Sequence, residues 1–420
     1  MDNIQKKQAP NYTFALIVMF AVMFLIGFIT TMNNSMIEFC KEAFGLKDSQ
    51  GQLVNTAFYG AYALSIPLGM MMNKIGYKKT LLLGLAVVGI GFVINYFGIS
   101  SLLGMETSVI YSVFLGSMFI VALGIVMLQL VANPYVMVLG SPEKGAFRMT
   151  LSNALNSAAT TVAPVFITYV IIAGKAKTPD AVPGPYLGLG IFTLILCVVL
   201  FFLKLPNINE EQQAEEESGE RKEYKSSVFS YAHVWFGMLG IFFYLGIELG
   251  VPSMLPAYFK SNPELAAYGT ATDFLPYYWG GMMVGRFVGA AILNKFKPRR
   301  ILSICLCCGA LCVAASFFLT GIASVWAMLA AGLFHSVMWP LVFNLGLQEL
   351  GPHTKKASGI INLGVVGGAT LPLLMGWIVD NPALGVGYAV AMMFIYYVYV
   401  FWFCNFGSKI GLSKKKGSLE

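Results

Sequence analysis

Charge is scarce in this chain. Only 11% of its 420 residues are Asp, Glu, Lys or Arg, against roughly a quarter in a water-soluble domain, which excludes an ordinary soluble fold. Histidine is scarcer still, with three copies and none at zinc-ligand spacing. There is no phosphate-binding glycine loop and no nucleophile elbow. No nucleophile, base and orienting group recur together, so enzyme activity has no candidate site, and no cofactor is expected. The cysteines Cys40, Cys197, Cys305, Cys307, Cys308, Cys312 and Cys404 lie in or beside apolar segments. They read as small buried hydrophobes, not as a metal site or a disulfide set. The opening MDNIQKKQAPNY runs into an apolar span without a small-residue cleavage site, so no cleaved signal peptide is expected.

What is abundant is apolar sequence: 57% of the residues are hydrophobic and the mean hydropathy is +0.72. Windows of about 20 apolar residues, each long enough to cross a roughly 30 Å hydrocarbon layer, recur along the chain. Twelve are expected, at about 14–36, 52–73, 79–99, 108–134, 149–173, 186–204, 233–258, 273–293, 300–322, 324–347, 357–378 and 386–406. Six fall on each side of KLPNINEEQQAEEESGERKEYKSS, a charged stretch without apolar periodicity. The expectation is an all-α membrane protein of twelve transmembrane helices. Residues 1–204 and 233–420 form two six-helix bundles around a central cavity, joined by a linker at 205–232. A glycine-rich helix end followed by a basic turn recurs at matching places, GMMMNKIGYKK and GRFVGAAILNKFKPRR, as parallel repeats would give.

Lysine and arginine set the orientation. Lys74, Lys78, Lys79, Lys144, Arg148, Lys295, Lys297, Arg299, Arg300, Lys355 and Lys356 fall on one side of the twelve-span scheme, with Lys6, Lys7 and the linker and tail lysines; Lys41, Lys47, Lys175, Lys177 and Lys260 fall on the other. Both termini and the linker are therefore expected in the cytoplasm. The formal charge of +7 is accounted for by this bias and by contact with anionic membrane lipids, so no nucleic acid is expected as a partner.

Polar side chains inside such spans are expensive and mark functional sites or helix-bridging glue. Asn33 and Asn34 lie near the end of the first span, and Asn55 and Tyr59 share a face of the second. Gln129 and Asn133 share a face of the fourth, where Pro134 releases a backbone carbonyl, and Asn153 and Asn156 are three apart on the fifth. The seventh carries Tyr244 and Glu248 at helical spacing, and the tenth carries His335, Trp339 and Asn344. Amides that both donate and accept, with aromatic faces, suit a polyhydroxylated uncharged ligand, and Glu248 alone suits a cationic one. Asn344 and Asn362 are expected as packing glue, and a hydrogen-bonded core role competes with a proton relay for His335. Glu248 stands apart, because a buried carboxylate costs more than an amide and no lysine lies in a span to pair with it. Arg286 is expected to anchor the eighth span at its cytoplasmic end.

The stretches GFITTMNNSMIEFCKEAFGL, QLVNTAFYGAYALSIPLGMMMNKIGYKK, LQLVANPYVMVLGSPEKGAFRMTLSNALNS and FFYLGIELGVPSMLPAYF resemble the fucose/proton and glucose/galactose symporter family of the major facilitator superfamily. The resemblance spans essentially the whole chain. It implies a cavity lined chiefly by helices 1, 4, 7 and 10, alternating access, and cation-driven sugar import across a bacterial inner membrane by a monomer. It also places Asn153 and Asn156 near sugar-binding amides and makes glucose, galactose, mannose or fucose the expected monosaccharides. Two family carboxylates are amides here: the helix 1 Asp aligns with Asn34, and the fucose branch's helix 4 Glu aligns with Gln129. An amide cannot titrate. Glu248 matches the helix 7 carboxylate of the glucose/galactose branch, which leaves it as the ion-coupling candidate, for H+ or Na+. The alternatives are an uncoupled facilitator, an introduced Asn34 that traps one conformation, an exporter of the same fold, and a membrane sensor or scaffold.

Overall fold

The computed structural model describes residues 12–45, 53–166, 178, 180, 183–203, 205–206, 224–381 and 383–412, and these contain helices and no strand. α1 is Thr13–Phe44. The next two passes are built from Leu53–Gly60, a 3-10 turn at Ala61–Leu64, and the stretch Ser65–Ser101. Gly76 divides it, with φ 83° and ψ 171°, a backbone conformation that a side chain opposes and glycine adopts freely. α2 is thus residues 53–75 and α3 residues 77–101. There follow α4 (Thr107–Val138), α5 (Gly145–Phe166), α6 (Pro183–Phe202), α7 (Ala232–Ser261), α8 (Ala271–Leu293) and α9 (Pro298–Phe318). α10 comes in two pieces, Ile322–His335 and Met338–Gly346. α11 is Thr354–Leu363, a 3-10 turn at Gly364–Val366, then Gly367–Asp380. α12 is Gly385–Ala391 and Met393–Asn405.

Nine helical stretches among the described residues are long and apolar enough to cross a membrane. One of them, Thr56–Ser101, holds both α2 and α3. α5 and α8 complete the expected twelve. They are less apolar because they carry Arg148, Asn153 and Asn156, and Asp273 and Arg286.

The packing repeats. α1 packs on α4 and α5 as α7 packs on α10 and α11, and α4 takes α2 and α3 as α10 takes α8 and α9. α6 lies on α3 as α12 lies on α9. Phe202 on α6, Phe318 on α9 and Val398 on α12 are exposed, as lipid-facing side chains should be. Two arginines close loop ends. Arg148 at the start of α5 donates to the carbonyls of Val136, at 2.9 Å, and Met137 in the last turn of α4, and Arg299 at the start of α9 donates to the Cys404 carbonyl of α12 at 2.9 Å. Each supplies a donor and a positive charge to a helix end that lacks both.

The two bundles meet along α2 with α11 and α5 with α8. In lipid, helices associate through close packing of small residues and not through hydrophobic expulsion of water. Where α2 crosses α11, a Cβ on Gly69 would lie 2.8 Å from the Gly359 Cα. Beside that crossing Lys355 of α11 sits 4.7 Å from the Tyr77 ring centre, a cation–π contact between the bundles. We expect Gly69→Val to hold the bundles apart here, at about 1–3 kcal/mol of overpacking. A cysteine introduced by Ser358→Cys should then react with maleimide faster than in the Gly69 parent; equal rates would show that the tight crossing is dispensable.

Candidate functional site

Glu248 has a partner. Arg286 of α8 brings Nη2 to 3.4 Å from Glu248 Oε1, and the two side chains are only 9% and 13% exposed. The expectation that Arg286 anchors a helix end fails. It lies seven residues before Leu293, about 10 Å of helix from that end, which is too deep for the guanidinium to serve as an interfacial anchor. The guanidinium fork is used on three sides. Nε donates to the Ser336 carbonyl of α10 at 3.0 Å, Nη1 donates to Ser157 Oγ of α5 and, at 3.5 Å, to the Asn153 carbonyl, and Nη2 faces Glu248. Arg286 thereby ties α7, α8 and α10 of one bundle to α5 of the other. A lysine ammonium has no planar fork to place donors in these fixed directions.

Prolines account for why some of these acceptors are available. A proline has no N–H, so the carbonyl four residues before it loses its helical donor. Pro340 releases Ser336, and Arg286 supplies the replacement. Pro134 releases Leu130, and Ser358 Oγ of α11 donates to that carbonyl at 3.4 Å across the bundle interface. Pro252 releases Glu248, whose carbonyl accepts from Tyr278 Oη of α8 at 2.7 Å.

The remaining candidates separate by exposure. Tyr244, His335, Asn133 and Asn153 are buried, whereas Tyr59, Gln129, Asn156, Glu248 and Trp339 are part-exposed. Tyr62 donates to Gln129 Oε1 at 3.1 Å, with the Tyr59 ring 6.3 Å from that of Tyr62, so α2 and α4 present one polar aromatic group. Tyr244 donates to the His335 carbonyl at 3.3 Å and sets its ring 6.1 Å from Trp339. The amide nitrogen of Asn156 donates to the Met23 carbonyl of α1 at 2.8 Å, and that of Asn153 to the Met149 carbonyl at 2.9 Å, so both are used within the protein. The side chains of Asn33, Asn34 and Asn55 lie outside the described part of the structure. Asn362, expected as glue, is fully buried with neither amide atom hydrogen-bonded. Among the described residues no group of three or more His, Cys, Asp or Glu side chains gathers to hold a metal.

Twelve passes in two similarly packed bundles, closed around a charged and aromatic centre, define the class of polytopic membrane transporters that work by moving one bundle against the other. The chain belongs to the Major Facilitator Superfamily, whose family model matches residues 19–372. It is 37% identical over 407 residues to a glucose/galactose transporter of Brucella abortus, covering 95% of both chains. It is 25% identical over 395 residues to the L-fucose-proton symporter of Escherichia coli, covering 89% of this chain and 88% of that one. A crystal structure of the superfamily transporter FucP in the outward conformation superposes with a TM-score of 0.80 at 23% identity, over 94% of this chain and 99% of that one.

Removing one member of a buried ion pair leaves the other charged and uncompensated, at a cost of about 3–5 kcal/mol. Arg286→Met should therefore lower the unfolding midpoint of the detergent-purified protein clearly, and Arg286→Met with Glu248→Gln should recover much of the loss. Equal midpoints for the parent and the single variant would show that the pair is not stabilised as the geometry indicates.

Proposed function

We propose that the chain is a secondary hexose importer that works by alternating access, with Glu248 as the coupling group and a proton as the coupled ion. The observation that carries the coupling is the Glu248–Arg286–Ser157 link between the two bundles. While Glu248 is ionised, Arg286 is held on it; protonation cancels that attraction and frees the guanidinium to loosen its hold on α5. A guanidinium 3.4 Å from the carboxylate opposes entry of a sodium ion at the same oxygens, which favours H+ over Na+. The similarity to a glucose/galactose transporter over 95% of the chain supports a hexose, with glucose and galactose ahead of mannose and fucose. The part-exposed Tyr59, Gln129, Asn156 and Trp339 offer the amides and aromatic faces that grip sugar hydroxyls and C–H groups, and Asn33, Asn34, Asn55 and Asn133 are proposed as further sugar-binding amides on the sequence alone. Residues 1–204 and 233–420 form the moving bundles and 205–232 the linker. The lysine and arginine bias supports a cytoplasmic-membrane protein with both termini inside, and we take it to act as a monomer. A second reading, an uncoupled facilitator, is favoured by the amides at Asn34 and Gln129, which carry no proton.

In proteoliposomes, labelled glucose or galactose should show saturable counterflow, and an imposed proton gradient, but not a sodium gradient, should drive accumulation. Absence of counterflow for glucose, galactose, mannose and fucose alike would sink the sugar reading, and counterflow without gradient-driven accumulation would favour the facilitator. Glu248→Gln is expected to lower accumulation at least about tenfold while leaving exchange largely intact.

A further inference from the structure

Behind Glu248 runs a buried chain of hydrogen bonds. With Pro252 four residues on, the Glu248 carbonyl depends on Tyr278, whose Oη donates to it at 2.7 Å. A phenol has one proton, so Tyr278 Oη, having given that proton away, can only accept from His335 Nδ1, which stands 2.8 Å off. His335 therefore carries hydrogen on Nδ1. In the neutral ring Nε2 is then an acceptor, and the Tyr397 hydroxyl of α12 donates to it. The donors all point one way, from Tyr397 to His335 to Tyr278 to the α7 backbone. Tyr278 and His335 are 0% exposed and Tyr397 is 4% exposed, which closes the line to water. α9 supplies the last wall: a Cβ on Gly309 would lie 3.2 Å from both His335 Cδ2 and Tyr397 Oη, so a glycine there lets the helix close over the pair.

We propose that Tyr397, His335 and Tyr278 are positioning residues that hold the α7 backbone at Glu248 in register with Arg286, and that His335 is a fixed neutral Nδ1–H imidazole that neither touches sugar nor relays protons. The chain spans α12, α10 and α8 to reach α7, so it fixes a carbonyl that the helix itself no longer holds. The inference rests on the reading of Glu248 as the coupling group, and the first of two readouts does not depend on it.

That readout is the imidazole 15N spectrum of full-length protein in lipid nanodiscs. The chain has three histidines, and subtracting the spectrum of His335→Asn assigns the signal. His335 should stay a neutral Nδ1–H tautomer between about pH 5 and pH 8, and Tyr278→Phe should shift it toward Nε2–H. An Nε2–H tautomer, or titration within that range, overturns the proposal. The second readout is transport. Tyr278→Phe should lower proton-driven accumulation about tenfold, keep the exchange KM within about twofold, and add no further loss to Glu248→Gln. Gly309→Ala removes no hydrogen-bonding group but crowds the pair, and should give the same split. Equal loss of exchange and accumulation, or additivity with Glu248→Gln, overturns the positioning role. If Glu248→Gln itself accumulates sugar normally, the coupling reading fails, and the 15N result still decides whether the hydrogen-bond chain exists.

Discussion

A carbonyl without a donor costs several kcal/mol in a low-dielectric interior, and Pro134, Pro252 and Pro340 each strip one donor from a helix through the middle of this protein. The replacements come from neighbouring helices: Ser358 for Leu130, Tyr278 for Glu248, Arg286 for Ser336. Each substitution turns an internal hydrogen bond of one helix into a bond between two. The prolines thus convert helix-forming interactions into tertiary ones, in a setting where apolar packing alone gives little reason for any particular rotation of one helix against the next.

Arg286 is where these constraints converge. The Ser336 carbonyl holds its Nε, with its other nitrogens set toward Glu248 and Ser157. The charge pair is therefore a consequence of backbone geometry as much as of electrostatic attraction. A buried ion pair contributes little net stability once desolvation is counted. On the coupling proposed above, what it adds is a dependence of bundle position on the ionisation of one carboxylate, as coupled transport requires.

The spans were readable from the sequence because a membrane pass advertises itself within about 20 consecutive residues. The break between α2 and α3 was readable too, in the basic turn NKIGYKK, though not that it is made at the single residue Gly76. Glu248 stood out in the same way, as a local anomaly in an apolar run. Its partner did not, because Arg286 is 38 residues away on another helix, and its depth follows from where α8 begins and how it is rotated. The charge within GGMMVGRFVGAA was itself a signal, since an arginine that far inside a span demands an acceptor. Pro134 pointed to a released carbonyl, and nothing in the sequence pointed to Ser358, 228 residues further on. His335 looked ambiguous for a related reason: a lone histidine states no tautomer, and Tyr278 and Tyr397 reach it from helices on either side in the chain.

The bond from Ser358 to the Leu130 carbonyl joins the two bundles at 3.4 Å, near the long limit for such a contact. When the bundles part at that point, the serine leaves and water entering the gap offers the same carbonyl an equivalent proton. The closing contact is thus an exchangeable ligand of the backbone: its loss is refunded by hydration, so the proline lets the interface come apart there without stranding a polar group.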